Sequence, residues 1–180
     1  MSVIILVRHG QSEANAAKII ADYSYPLTEK GIEQAHHTGN ALSDSRLVFA
    51  KIISSPYIRA LQTAQVIAKV LGYPMENIEL LELLRERGLG ELERNPKTYD
   101  GSWYSTADTE HGIETKSDLF DRTMMCWQYL KNLSSQGNIL ASGHGISGNY
   151  LTQIARGAQT VSDIVDATEL ANAEYIVLQQ

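Results

Sequence analysis

Cysteine occurs once in this sequence, as Cys126, so no disulfide can close within the 180 residues. A lone thiol suits a reducing, cytosolic compartment. No apolar run nears the eighteen or so residues of a membrane helix. The first one, Val3 to Val7, has no basic region before it and is too short for the core of a secretory leader. A soluble, cytoplasmic protein without a membrane partner is the expectation. Positive charge is in deficit too: 15 Lys and Arg face 21 Asp and Glu, a net charge of -6. That balance speaks against a nucleic-acid binder, which works by neutralising many phosphates. It leaves room for one small anion, because bulk charge is screened over about 8 Å at physiological salt. A guanidinium about 4 Å from a phosphate charge is worth about 4 kcal/mol at an effective dielectric near 20. No repeat, low-complexity tract or linker interrupts the chain. At this length, with 43% hydrophobic residues, one domain over residues 1–180 can bury about 70% of its unfolded surface.

What is present reads as short strands followed by helices. Val3 to Val7 has the length and β-branching of a buried strand. Ala14 to Ala17 can form a helical turn. Thr28 is a helix N-cap, and Ile32, Ala35, Gly39 and Leu42 give the helix after it one apolar face. His36 and His37 on that helix read as surface or partly buried residues rather than metal ligands, since no cysteine or carboxylate cluster accompanies them. Lys51 to Ser54 is a second strand. Ser55 as N-cap and Pro56 at the first helical position open a helix that runs to Leu71 and stops at Gly72. Ile78 to Leu84 reads as a third strand or extended segment, and Ser117 to Leu133 as a core helix. Asn138 to Ser142 is a further strand, followed by a helix over Ile146 to Arg156, and Glu174 to Leu178 closes the chain as a strand. Between them, Arg94 to Lys116 keeps no period and holds Trp103 and Tyr104; long loops of this kind serve as lids or walls.

Chemistry concentrates where strands end. Leu6 to Asn15, LVRHGQSEAN, puts a guanidinium, an imidazole and a glycine in succession after the first strand, where open α/β sheets place their ligand crevices. Gly10 would permit a sharp turn, a positive φ and a close approach. A neutral imidazole at His9 is a nucleophile near neutral pH, and Arg8 can fork two hydrogen bonds onto a phosphoryl group. Arg59 falls in the first turn of a helix, where free N–H groups also favour an anion. A second histidine flanked by glycines, His144 in SGHG, follows a later strand. Carboxylates are dense at Glu79, Glu82, Glu86, Glu91 and Glu93, and composition does not choose among them.

LVRHGQSEAN, SSPYIRALQTA, LRERGLGELE and SGHG, in that order and spacing, resemble the motifs of the histidine phosphatase superfamily, which includes cofactor-dependent phosphoglycerate mutases. The resemblance runs from Val3 to about Tyr150, with weaker echoes in GIET (Gly112 to Thr115) and NAEYIVL. It implies a phosphoglycerate mutase-like α/β fold, a three-layer sandwich with a mostly parallel central sheet flanked by helices. It further implies that His9 is the nucleophile that becomes phosphorylated, that Arg8 and Arg59 grip the phosphoryl oxygens, and that His144 completes the pocket. Gln11 and Asn15 match positions lining it, as does Gly145 in SGHG. Glu86, four residues before Gly90, matches the general acid, and Arg87 matches a substrate-contacting position of the mutase branch. Glu86 must then carry a proton to help the alkoxide leave. No metal or other cofactor is expected, since Arg8, Arg59 and His144 supply the positive field.

Three activities fit these motifs. A phosphomonoesterase would hydrolyse the phosphohistidine, acting on a phosphorylated small molecule or a phosphoprotein. A phosphoglycerate mutase would return the phosphoryl group to a retained substrate; mutases resembling this sequence carry a longer insertion after the glutamate motif, and here the stretch from Glu93 to Leu119 is short. An inactive phospho-ligand-binding or interaction module would usually lack a catalytic residue, and here every such position is filled. The phosphatase is the expected activity. Neither the substrate nor the oligomeric state is legible.

Overall fold

Neighbouring residues of a strand face opposite sides, and in the central strands here both sides are apolar, the pattern of a sheet covered on two faces. The computed structural model describes residues 2–96, 111–165 and 170–179. Its sheet holds β1 (Ile4–Arg8), β2 (Phe49–Ser54), β3 (Glu79–Leu80), β4 (Asn138–Gly143) and β5 (Tyr175–Gln179). The order is β3-β2-β4-β1-β5. β5 runs antiparallel to β1, and the other pairings are parallel. The described helices are α1 (Glu13–Ala17), α2 (Glu29–Asp44), α3 (Ile58–Leu71), α4 (Lys116–Leu133) and α5 (Ile146–Ala155).

Alternation sorts the core into two layers. Ile5, Val7, Ile52 and Leu140 pack against Leu42 of α2 and Ala64, Ile67 and Ala68 of α3. Ile4, Leu6, Ile53, Ile139 and Ala141 pack on the other side against Cys126 and Leu130 of α4 and Leu151 of α5. This is the three-layer α/β sandwich that the resemblance implies. Burial pushes the Cys126 thiol up to about 12, so it stays protonated and unreactive. Among the described residues, no helix is long and apolar enough to cross a membrane. The chain leaving β1 turns into the α2 and α3 layer, while the chain leaving β4 turns into the α4 and α5 layer. The carboxyl ends of β1 and β4 therefore part at a switch point, where such sheets hold ligands.

Several elements differ from their sequence reading. α3 begins at Ile58, and its N-cap Tyr57 makes no side-chain cap bond; the Ser55 hydroxyl is engaged with His144. Arg59 remains in the first turn. The third strand shrinks to two residues, because Arg122 Nη1 takes the carbonyls of Leu83 and Arg85 (2.9 and 3.0 Å) and bends Glu82–Leu84 into a 3-10 turn. On α2, Thr28 caps by accepting the Gly31 N–H, but the buried face is Gly31, Ala35, Thr38, Gly39 and Leu42, and Ile32 is exposed. Of the lid-or-wall segment, residues 97–110 with Trp103 and Tyr104 lie outside the described residues; Ile113 pairs with Leu89.

Candidate active site

Arg8 ends β1, and the His9 N–H that follows donates to the Gly143 carbonyl at the end of β4 (3.0 Å). That bond sets the two strand ends side by side. His9 is 3% exposed. Its Nδ1 lies 2.7 Å from the Gly10 carbonyl, which can only accept, so Nδ1 carries the proton and Nε2 presents a lone pair. Arg59 Nε donates to that lone pair at 3.1 Å. Gly10 is required for close approach rather than for a positive φ, which it does not adopt. A Cβ there would sit 2.3 Å from the Gly31 carbonyl oxygen.

Arg59 is buried, and its Nη1 donates to the Asp22 carbonyl at 2.5 Å. Burial lowers its pKa, opposed by Glu86, Tyr57 and Asp22; a guanidinium still keeps its charge at neutral pH. His144 follows β4, with its ring centroid 5.2 Å from that of His9, edge to face. Its Nε2 lies 2.8 Å from the Ser55 hydroxyl, and its Nδ1 is buried without a hydrogen-bond partner. Burial first, then the charges of Arg59, His9 and Arg8, holds its pKa well below the usual histidine range. The ring is therefore neutral.

Over this floor opens a cleft of about 510 Å³, partly open to solvent. Arg8, His9, Asn15, Arg59, Glu86 and Arg87 form its polar side, and Ile19, Ile20, Ala21, Leu89 and Ile146 its apolar side. Arg8 Nη1 also donates to the Leu170 carbonyl. Asn15 Oδ1 accepts from the Ser12 N–H (3.1 Å) and from Asn172 Nδ2 (3.3 Å), which leaves the amide of Asn15 as a donor facing the cleft. The Glu86 carboxyl sits at the amino end of α5 and takes N–H bonds from Gly145 (3.1 Å), Ile146 (3.2 Å), Ser147 (2.8 Å) and its neighbour Arg87 (3.0 Å). Arg87 Nε donates to the Glu114 carbonyl at 2.9 Å.

The structure thus gathers Arg8, His9, Asn15, Arg59, Glu86 and Arg87 round one cleft, with His144 beside His9. Gln11 is not part of the lining; its side-chain oxygen accepts from the Thr28 hydroxyl at 3.1 Å. Gly145 contributes its backbone N–H to Glu86 and does not line the cleft. Among the described residues, no group of three His, Cys, Asp or Glu is placed to hold a metal ion. His36 and His37 are exposed on α2.

Sequence reasoning missed the supports of this arrangement. Arg122 forks onto Glu114 with two bonds of 2.8 Å and holds the carbonyls of Leu83 and Arg85, while Glu114 accepts the Gly88 N–H at 3.1 Å. The pair fixes the segment carrying Glu86. Its only sequence trace is GIET, which contains Glu114. Asp22, bridged to Arg94 at 2.5 Å, anchors the opposite wall. Burial pushes the Asp22 carboxyl up, but the Ser24 hydroxyl and N–H and the Arg94 guanidinium outweigh it, and its pKa ends below the ordinary value.

Comparison with known proteins adds relatives to this geometry. Residues 4–179 match the model of the histidine phosphatase superfamily (branch 1). A metal-independent phosphoserine phosphatase of Arabidopsis thaliana is 30% identical over 190 residues, covering 97% of this chain and 79% of its own. A 2,3-bisphosphoglycerate-dependent phosphoglycerate mutase of Parvibaculum lavamentivorans is 37% identical over 94 residues, which is 51% of this chain and 44% of the mutase. The matched stretch thus spans less than half of that mutase. Among solved structures, a mycobacterial glucosyl-3-phosphoglycerate phosphatase complexed with VO3 superposes with a TM-score of 0.80 over 98% of this chain and 92% of its own. At 19% identity, that likeness is one of fold.

Proposed function

The chain belongs to the histidine phosphatase superfamily, and from that premise we propose that it is a metal-independent phosphomonoesterase working through a phosphohistidine on His9. The observation that carries this reading is the unprotonated Nε2 of His9, its ring held by the Gly10 carbonyl at Nδ1 and its lone pair met by Arg59 Nε. Nε2 attacks phosphorus in line as the ester P–O bond breaks. Arg59 redirects its Nε–H hydrogen bond from the lone pair to a phosphoryl oxygen, Arg8 donates to another, and the charge spread over those oxygens is neutralised where it develops. The Nδ1–H bond to Gly10 stabilises the positive charge that the ring gains.

Glu86 gives its proton to the departing alkoxide and later takes one from the water that splits the P–N bond, which returns Nε2 and releases phosphate. To do so it must release part of its grip on the N–H groups of α5 and turn into the cleft. Asn15 and Arg87 hold the substrate from the sides. The mixed lining, cationic floor and apolar wall, suits a phosphorylated small molecule or a phosphoserine side chain; the Arabidopsis relative supports that class by its name.

The mutase match supports a second reading, in which the phosphoryl group passes back to a retained phosphoglycerate. The short stretch after Glu93 favours hydrolysis, since less chain is on hand to exclude water. A metal-free screen of phosphoserine, sugar phosphates, phosphoglycerates and nucleotides, run beside His9→Ala, separates the two. Phosphate release that vanishes in the variant supports the phosphatase. Interconversion of phosphoglycerates without phosphate release supports the mutase, and inactivity of both proteins on every ester refutes the enzyme.

A further inference from the structure

Ser55 has no part in the reaction above, yet its hydroxyl lies against the ring of His144. It is fully buried just beyond β2, and its N–H donates to the Ser142 carbonyl at 2.9 Å, tying the ends of β2 and β4 together. Its oxygen accepts the Tyr57 N–H at 3.3 Å and lies 2.8 Å from His144 Nε2. A hydroxyl has one proton to give. Among the described residues, the acceptor it meets is that ring nitrogen. Were Nε2 protonated instead, the oxygen would face two donors and its own proton would be left without an acceptor, a costly state in a buried site.

The His144 ring is neutral, because burial and the charges of Arg59, His9, Arg8 and Arg122 oppose a second proton. One ring proton remains to be placed. With Nε2 filled by Ser55 it belongs on Nδ1, the buried nitrogen that has no partner in the resting protein. We propose that Ser55 is a positioning residue: its hydroxyl fixes His144 in the Nδ1–H tautomer, so that the ring donates a hydrogen bond to the phosphoryl group in transit to His9. The assignment rests on the phosphohistidine reading above.

The test reads the tautomer directly, by long-range proton–nitrogen correlation NMR on the histidine-labelled full chain, with His144 assigned by loss of its signals in His144→Gln. The wild-type protein is expected to show the proton on Nδ1; a proton on Nε2 overturns the proposal with no variant needed. Ser55→Ala should leave a mixture of tautomers, weaken orthovanadate binding about 10-fold and lower kcat by a similar factor with KM little changed. Ser55→Thr, which restores the hydroxyl, should restore all three. A Ser55→Ala protein that loses activity while its His144 stays wholly Nδ1–H would show a structural role and overturn the proposal. Tautomer and vanadate readouts need no turnover. An inactive wild type would therefore refute the hydrolase reading, while those two readouts still decide the part played by Ser55.

Discussion

The ends of β1 and β4 look alike in sequence, Arg-His-Gly and Gly-His-Gly, and lie side by side in the structure, yet their imidazoles are held in opposite ways. After β1 the imidazole donates its Nδ1–H to a backbone carbonyl and turns the Nε2 lone pair toward Arg59. After β4 the imidazole meets a hydroxyl on Nε2 and keeps a buried nitrogen without a partner. The difference lies in what touches the far nitrogen of each ring. Two histidines in similar loops are thus set apart by what holds each ring, the carbonyl of the very next residue, Gly10, for one and the hydroxyl of the distant Ser55 for the other.

Substitution at each strand end should break this symmetry by different amounts. His9→Ala removes the attacking atom and should cost about 10⁴-fold or more in kcat, whereas His144→Ala removes one donor to the transition state and should cost about 10²–10³-fold. Equal losses measured on one aryl phosphate would show that the two rings do not divide the work. Arg59 touches the first ring and is a charge felt by the second. Arg59→Lys should lose about 10²-fold in kcat, because an ammonium cannot reproduce the fork, and a variant with wild-type kcat would remove Arg59 from the reaction.

The glycines differ as the histidines do. A Cβ on Gly10 meets a backbone oxygen at 2.3 Å, while one on Gly143 meets the movable Cδ1 of Leu6 at 3.3 Å. Gly10→Ala should therefore destabilise by about 1–3 kcal/mol and Gly143→Ala by less, as read by urea unfolding. The smallest effect comes from pH. The folded pKa of His144 lies below its unfolded value of 6.5, so between the two the unfolded chain binds more protons. Stability should thus be unaffected by this group above that pH. It should fall as pH drops through the window, by at most about 1.4 kcal/mol per unit. His144→Gln should flatten that slope, and an unchanged slope would mean that the ring is not held neutral.

How much of this could be read from the chain follows the same division. Strands and helices were legible because Val3 to Val7 and Ser117 to Leu133 carry their periods locally, and Arg8, His9, Arg59, Glu86 and His144 because strand ends and ordered motifs mark them. Partnerships between distant segments left no local sign. The buried Arg122–Glu114 pair, which unmakes most of the third strand and props Glu86, joins α4 to a turn. Ser55 read as a helix cap because its sequence position fits one, and only the arrival of β4 beside it supplies the imidazole that meets its hydroxyl. Gly10 read as a flexible turn, while the structure uses it for contact with Gly31, a partner supplied by the fold.

On the proposed mechanism the phosphoryl group travels through Nε2 of His9. An aryl phosphate with a good leaving group, mixed rapidly with the enzyme and quenched in base, should yield an acid-labile phosphoenzyme whose phosphorus NMR and peptide mass place the group on His9 Nε2. A phosphoryl group found on Nδ1 or on another residue, or steady turnover with no phosphoenzyme on any timescale of the quench, would contradict the account.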